Sequence, residues 1–171
     1  MGLQGTIAQE LGNLSFLTYL DLSNNSFTGS IPDKIGSLIH LRALNMSYNE
    51  LTGHILNNVG LLRNLQRLDL SVNQMTGTIP WSTFNLSSLQ RISLHGNQLS
   101  GMLPLDSCQH LPDLEYLRLS GNDLSGNIPI SITSVGNSRY LFYPTTILLA
   151  VFQWPWRTWR SFNSSIQEQI Y

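Results

Sequence analysis

A 24-residue repeat is the feature of this sequence that most limits what the chain can fold into. Strings of one pattern (apolar, x, apolar, x, x, Asn) recur at intervals of 24 residues, and of 25 at the last step. They are Leu20–Asn25, Leu44–Asn49, Leu68–Asn73, Ile92–Asn97 and Leu117–Asn122. A glycine column keeps the same step, at Gly5, Gly29, Gly53, Gly77, Gly101 and Gly126. Repeats that agree at about ten positions each predict a stack of similar coils.

The apolar-x-apolar motif of each repeat predicts a short strand whose apolar side chains point inward. Strands of successive repeats are expected to stack as a parallel sheet. Leucine pairs spaced three residues apart are assigned to the remaining interior: Leu14/Leu17, Leu38/Leu41, Leu62/Leu65, Leu86/Leu89 and Leu111/Leu114. Because one coil cannot bury these residues alone, each coil depends on its neighbours.

An asparagine follows each strand, where the chain must turn away from the sheet. Its side-chain amide both donates and accepts, so it can satisfy backbone groups that a tight turn would leave unpaired. We therefore predict a buried structural ladder of Asn25, Asn49, Asn73, Asn97 and Asn122. Replacement of Asn73 should destabilise the fold, whereas Asn58, on the return path, should tolerate replacement.

The repeat resembles the plant-type extracellular leucine-rich repeat. The resemblance rests on the Leu-x-Leu strands, the asparagine column and Gly-x-Ile-Pro segments such as Gly29–Pro32 and Gly77–Pro80, and it runs from about Leu3 to Val135. It implies an α/β leucine-rich-repeat solenoid (horseshoe). Such a solenoid has a parallel concave sheet, here of about five strands, and a convex side of short strands or 3₁₀ turns.

The pattern divides the chain into two regions. Residues 1–135 hold five full repeats and partial repeats at each end, and we expect the ends of the stack to be uncapped. Residues 136–171 form a non-repeat tail with three tryptophans and no leucine after Leu149. We interpret this tail as disordered or aberrant, for example a translated intron or an altered reading frame. A packing tail and a membrane-proximal piece are the alternatives.

The sequence holds no recognisable secretory signal and no clear membrane span. Met1–Gly12 lacks a basic segment and an apolar core, and Pro144 and Pro155 interrupt the apolar stretch Tyr140–Trp156. The resemblance places a parent protein at the extracellular face of the plasma membrane. The location of this chain itself stays open.

Charge and motifs argue against nucleic-acid binding and catalysis. Nine Lys and Arg against ten Asp and Glu leave a formal net charge of −1 and no broad basic surface. Lys34 is the only lysine, and the motifs of a kinase are absent from this sequence. Cys108 and the nearby His110 are a weak nucleophile signal, and the histidines show no metal-ligand spacing. We expect no enzymatic activity, no cofactor and no metal.

Residues that flank the inward leucines should face outward and form columns on the concave side. The candidate ligand-binding residues are Tyr19, Asp21, Arg67, Asp69, Arg91, His95, Tyr116 and Arg118. Arg67 and Arg91 fall on neighbouring strands, about 4.8 Å apart. Arginines beside an aromatic ring suit a carboxylate-bearing partner. The alternative is that these are solvated, variable positions.

Asn-x-Ser sequons predict N-glycosylation at Asn13, Asn24, Asn45, Asn85 and Asn163. Asn13 and Asn85 share one position of the repeat on the convex side, where a glycan would be tolerated. Asn24 and Asn45 fall on or beside the concave strands. A glycan on Asn45 would cover part of the concave face and shift binding towards the third to fifth repeats.

These features favour a protein- or peptide-recognition module. The resemblance implies a fragment of the ectodomain of a plant receptor-like kinase or receptor-like protein, a membrane glycoprotein active in signal perception and defence. Its expected partners are a protein or peptide ligand and a co-receptor, with no nucleic acid and no small-molecule cofactor. The alternatives are a secreted enzyme inhibitor resembling the polygalacturonase-inhibiting proteins and a truncated product without independent function.

Overall fold

The computed structural model describes residues 2–104, 106–107 and 109–126, and the backbone of 140–142. The concave sheet has six strands in the order β2-β4-β6-β8-β10-β12, and each neighbouring pair is parallel. These strands are β2 (Tyr19–Asp21), β4 (Ala43–Asn45), β6 (Arg67–Asp69), β8 (Arg91–Ser93), β10 (Tyr116–Arg118) and β12 (Tyr140–Phe142). The predicted leucine-rich-repeat solenoid with parallel strands is confirmed, with one strand more than the five expected.

A second set of short strands follows the turn that leaves the concave sheet. The first group is β1 (Gln4–Thr6), β3 (Ser26–Gly29) and β5 (Glu50–Leu51), and the second is β7 (Thr76–Thr78), β9 (Gln98–Met102) and β11 (Asp123–Ser125). All pairs within each group are parallel. A single bridge between His54 and Thr76 links the two groups, so the strand ladder continues from coil to coil.

The convex side contains 3₁₀-helices in the described coils. They are η1 (Gln9–Asn13), η2 (Asp33–Ser37), η3 (Asn57–Leu61) and η4 (Trp81–Asn85). Pro32 and Pro80 precede η2 and η4 with φ of −66° and −60°. Proline is suited to this position because its ring fixes φ near these values. The described part of the convex side thus matches the 3₁₀ turns that the resemblance implied.

The core lies between the concave sheet and the convex helices. Leu38, Leu41, Leu62 and Leu65 are completely inaccessible to solvent. Leu14, which occupies the same repeat position as Leu38 and Leu62, is instead 54% exposed. It was expected in the interior, but among the residues that the structure describes no further coil packs against its outer side. Burial at this position therefore depends on the neighbouring coil.

The asparagine that follows each strand bonds to two coils at once. Asn73 Nδ2 donates to the carbonyl oxygens of Leu70 at 3.1 Å and Ser71 at 3.2 Å in its own coil, and of Met46 at 3.0 Å in the preceding coil. Its Oδ1 accepts from the backbone N–H of Leu51 at 3.0 Å. Asn97 repeats this arrangement one coil further on. These amides satisfy backbone groups that the turn would otherwise leave unpaired.

Burial of the ladder varies along the stack. Asn73 and Asn97 are buried, in the middle of the stack, whereas Asn25, Asn49 and Asn122 are only half-buried. All five had been expected to be buried. The half-buried members bond in the same way: Asn49 Oδ1 accepts from Phe27 N–H, and Asn122 Oδ1 accepts from Leu99 N–H, both at 3.0 Å. All five asparagines of the ladder therefore make these hydrogen bonds, although only two of them are buried.

Strand β12 lies beyond the expected end of the repeats at Val135. Its register places Tyr140 beside Tyr116 and Leu141 beside Leu117, a step of 24 residues. The boundary at residue 135 and most of residues 136–171 lie outside the described residues. The division into repeats and tail therefore stays a prediction.

Candidate concave binding site

Outward-facing residues of the concave strands line one open groove. All of the sequence-based candidates are there: Tyr19, Asp21, Arg67, Asp69, Arg91, His95, Tyr116 and Arg118. Ala43, Asn45, Ser71 and Ser93 fill the positions between them. Because successive outward residues lie in register across the sheet, positions 24 residues apart in sequence become neighbours about 4.8 Å apart.

The β6–β10 part of the groove carries most of its positive charge. The register places Arg67 beside Arg91 and Arg91 beside Tyr116. Arg67 and Arg91 are exposed, while Tyr116 and Arg118 are half-buried. The Arg91 guanidinium lies 5.7 Å from the centre of the Tyr116 ring, which is within the range of a cation–π contact. The ring thus helps to orient one of two adjacent guanidinium groups.

The acidic candidates Asp21 and Asp69 are the last residues of strands β2 and β6. Asp69 Oδ1 accepts from the backbone N–H of Ser71 at 3.0 Å and from its Oγ at 2.6 Å. Asp21 makes the same pair of bonds with Ser23, at 2.9 Å and 2.6 Å. Each of these carboxylates therefore has one oxygen engaged in a local turn. Asp21 and Asp69 have a structural function that their sequence column did not reveal.

These contacts shift the pKa of Asp21. The Ser23 hydroxyl and then the Ser23 backbone N–H lower the pKa of this carboxyl; burial opposes them, and Asn45, the weakest of these effects, lowers the pKa further. Hydrogen bonds to a carboxylate favour its charged form. Asp21 is consequently ionised at neutral pH.

His95 lies beside the cationic residues. Its Nδ1 is 3.0 Å from Ser93 Oγ. Burial, and secondly the charge of Arg118, lower the pKa of His95, while Asp69 opposes the shift. The ring is therefore neutral at pH 7 and can take part in hydrogen bonds without adding positive charge.

Tyr48 is a groove residue that the column argument missed. It lines the groove and is 52% exposed. It does not belong to a strand but to the turn after β4, so the alternation of strand residues did not include it. The sequence did contain an indication of Tyr48: it is an aromatic residue at a repeat position that is occupied by Asn24, Gly96 and Gly121 in other coils.

The sequons differ in how accessible their amides are. Asn13, Asn24 and Asn85 are exposed, and Asn163 lies outside the described residues. Asn45 is half-buried; its Nδ2 donates to Asp21 Oδ2 at 3.1 Å, and its Oδ1 accepts from Ser47 N–H and Oγ. A glycan on Asn45 would attach to the nitrogen that makes the bond to Asp21. Asn13 and Asn85 offer amides without such competition.

Within the described ranges, no cluster of three His, Cys, Asp or Glu side chains has a geometry suited to a metal ion. No helix in the part of the chain that the structure describes is long and apolar enough to cross a bilayer. Cys108, the weak nucleophile candidate, is outside the described residues. The groove itself is lined by side-chain charges, amides and aromatic rings.

A stack of parallel-stranded coils with a groove along its inner sheet defines a repeat solenoid that presents a binding surface. Leucine-rich-repeat family models match residues 16–38, 40–62 and 62–124. A search of curated proteins finds no match. The chain belongs to the leucine-rich-repeat proteins of the plant extracellular type.

Solved structures give the same assignment. The HAESA receptor kinase ectodomain of Arabidopsis, in complex with an IDA peptide hormone ligand, is 37% identical with a TM-score of 0.79, over 82% of this chain and 23% of that one. The SOBIR1 receptor kinase ectodomain of Arabidopsis is 35% identical with a TM-score of 0.69, over 75% of this chain and 69% of that one. A plant ice-binding protein is 30% identical with a TM-score of 0.73, over 77% of this chain and 43% of that one.

This chain is short compared with several of these relatives. It spans less than a quarter of the HAESA ectodomain, and 16% and 24% of two further receptor structures. The receptor neighbours support a non-catalytic, ligand-binding module. Since an ice-binding protein shares the fold, the ligand has to be argued from the residues of the groove.

Proposed function

We propose that this chain is a peptide-recognition module of a plant receptor-like kinase or receptor-like protein ectodomain. The observation that carries the proposal is the adjacent, exposed pair Arg67 and Arg91 in the open concave groove, with Arg91 against the Tyr116 ring. Two guanidinium groups side by side can hold a carboxylate through paired hydrogen bonds. The ligand class is therefore a peptide that presents an acidic side chain or a free C-terminus.

The receptor neighbours support a proposal for the wider biological setting. The HAESA structure holds a peptide hormone, and another HAESA complex includes the co-receptor SERK1. By analogy, the partners of this chain are a peptide and a co-receptor, and it acts in signal perception at the extracellular face of the plasma membrane. Glycans belong on the exposed sequon residues Asn13, Asn24 and Asn85.

The size of the groove sets the expected affinity. Six strands span about 24 Å along the stack, whereas a stable interface buries about 800 Å² on each partner. A peptide that crosses these strands makes only part of such an interface. We therefore expect dissociation constants in the micromolar range or weaker, about −8 kcal/mol or less favourable.

The test uses peptides selected from a displayed library of random ten-residue peptides with free C-termini. Arg67→Ala/Arg91→Ala should weaken their binding by about tenfold or more, because charge-assisted hydrogen bonds contribute about 1.5–3 kcal/mol each. Binding to the unchanged chain should also weaken with added salt. Titration calorimetry measures the affinity, and circular dichroism checks the fold.

Arg42→Ala/Arg63→Ala is the matched control. It removes the same charge from two exposed arginines that do not line the groove. This control should bind as the unchanged chain does. Equal affinity losses in the two double variants, or no selected peptide at all, would remove the support for the proposal.

A further inference from the structure

The turn after each concave strand passes through a left-handed backbone conformation. The residues at this position are Asn24 (φ 55°), Tyr48 (φ 55°), Val72 (φ 53°), Gly96 (φ 66°) and Gly121 (φ 64°). Glycine adopts such angles freely and asparagine tolerates them, but bulky side chains are strained there. Tyr48 and Val72 are thus poor choices for the conformation of their own turn.

Side-chain packing within the described residues does not explain why a tyrosine occupies this left-handed position. The Tyr48 backbone is held as in the other turns, with its N–H donating to Ser71 O at 2.9 Å and its carbonyl accepting from Asn25 N–H at 3.2 Å. Its side chain makes no hydrogen bond or ring contact with the residues that the structure describes, and it is 52% exposed. Val72, by contrast, is half-buried and lies next to the backbone of Gly96.

Tyr48 shares the groove with a second exposed aromatic residue. Tyr19, on β2, is 61% exposed and lines the same end of the groove. Tyr19 opens β2 and Tyr48 follows the end of β4, so the two tyrosines lie at opposite edges of the β2–β4 end of the groove, which Asp21 also lines. Arg67 and Arg91 lie at the β6–β8 part. Strained residues that persist without a packing reason are concentrated at functional sites. The strain at Tyr48 therefore points to a ligand contact.

We propose that Tyr48 and Tyr19 bind an apolar or aromatic side chain of the peptide whose acidic group lies over Arg67 and Arg91. The inference rests on the proposed peptide-binding function and specifies the ligand further. From β2 to β6 and β8 the distance is about 10–14 Å at the strand spacing. An extended peptide covers about 3.3–3.6 Å per residue. The apolar residue is therefore three or four positions away from the acidic group in the peptide.

One variant, Tyr48→Asn, tests both the stability of the turn and the choice of peptide. Tyr48→Asn introduces a residue that suits the left-handed turn, so we expect a higher melting temperature. The same variant should bind peptides selected on the unchanged chain at least about fivefold more weakly. Peptides selected on it should keep the acidic residue and lose the apolar one at the three- or four-residue spacing. Tyr48→Phe, which keeps the ring, should retain the apolar preference.

Val72→Asn is the matched control, because it relieves the same strain at a residue outside the groove. It should raise the melting temperature without changing peptide affinity. If peptides selected on the unchanged chain are acidic but show no apolar preference, or if Tyr48→Asn binds them equally well, this inference is wrong and the proposed function stands. If the unchanged chain selects no peptide, both are overturned.

Discussion

At the scale of single residues, asparagine side chains replace the backbone partners that the turns lack. Asn73 contacts four backbone groups: the two hydrogens of its Nδ2 are shared among three carbonyl oxygens, and its Oδ1 accepts from one N–H, and these contacts join adjacent coils. A side-chain amide combines two N–H donors with a carbonyl acceptor in one neutral group, whereas a hydroxyl has a single donor, and glutamine carries the same amide one methylene further from the backbone. The repeat therefore depends on the chemistry of this residue more than on its polarity.

Asn73→Ala should destabilise the fold by about 1–3 kcal/mol, because it leaves buried carbonyl and N–H groups without partners. Urea unfolding followed by circular dichroism would measure the loss as a lower midpoint at an unchanged slope.

The control for this variant is Asn57→Ala. Asn57 is exposed, and its side chain makes no hydrogen bond with the described residues. Asn58, the residue that its sequence position suggested, is unsuitable because its Nδ2 donates to the carbonyl of Asp33 in the preceding coil. The expectation that Asn58 tolerates replacement stays a prediction, but this hydrogen bond makes Asn57 the cleaner control. Equal midpoints for Asn73→Ala and Asn57→Ala would contradict the ladder argument.

At the scale of elements, three of the concave strands, β2, β4 and β6, end in a side chain that accepts from the residue two positions later. Asp21, Asn45 and Asp69 all do this, with Ser23, Ser47 and Ser71 as donors. Each of these three strands has three residues, and the turn that the side chain holds leads to the asparagine ladder. Aspartate and asparagine are interchangeable in this function, since both present an oxygen at the same distance from the backbone.

Asp21→Asn should keep the strand end but change how stability depends on pH. Ser23 lowers the pKa of Asp21 in the folded state below its ordinary value of 3.8. Such a carboxyl stabilises the fold above its unfolded pKa, and this contribution is lost as the pH falls through the folded value. Between about pH 5 and pH 2, the melting temperature of Asp21→Asn should fall less than that of the unchanged chain.

Asp113→Asn serves as the comparison for the acid dependence. Asp113 is exposed, and its side chain has no hydrogen bond with the residues described. It should follow the curve of the unchanged chain. Identical curves for the two aspartate variants would show that the Ser23 contacts do not affect stability.

At the scale of the whole molecule, the fold is a one-dimensional stack in which each coil is buried by its neighbours. The same repeat position is completely buried in the middle of the stack, as Leu62 shows, and 54% exposed at Leu14. The energetic value of a leucine therefore depends on the coil in which it lies, and not only on its place in the repeat.

Leu62→Ala should destabilise the fold by about 2–5 kcal/mol, as expected for a cavity in a packed core. Leu14→Ala should cost about 1 kcal/mol or less, because much of this side chain is already in solvent. Thermal unfolding of both variants tests the difference. A similar loss in the two would mean that the first described coil is packed as tightly as the interior.

The sequence by itself determined the coil, its period and the faces of its strands. A period of 24 residues and an alternation of two place the leucines of the strand motif on the inner side and the residues that flank them on the outer side, without any knowledge of the remaining contacts. For the same reason the columns that contain Arg67, Arg91 and Tyr116 could be written down from the sequence. Parallel stacking leaves only one register in which equivalent residues meet.

Only the tertiary structure decided what each outward side chain does. It showed that Asp21 and Asp69 end strands, that the amide of Asn45 is engaged, and that Tyr48 faces the groove from a left-handed turn. These properties arise from contacts across coils and from backbone angles outside the regular strand. A repeating pattern defines positions in a coil, but hydrogen-bond partners and strain depend on which side chains meet there in three dimensions.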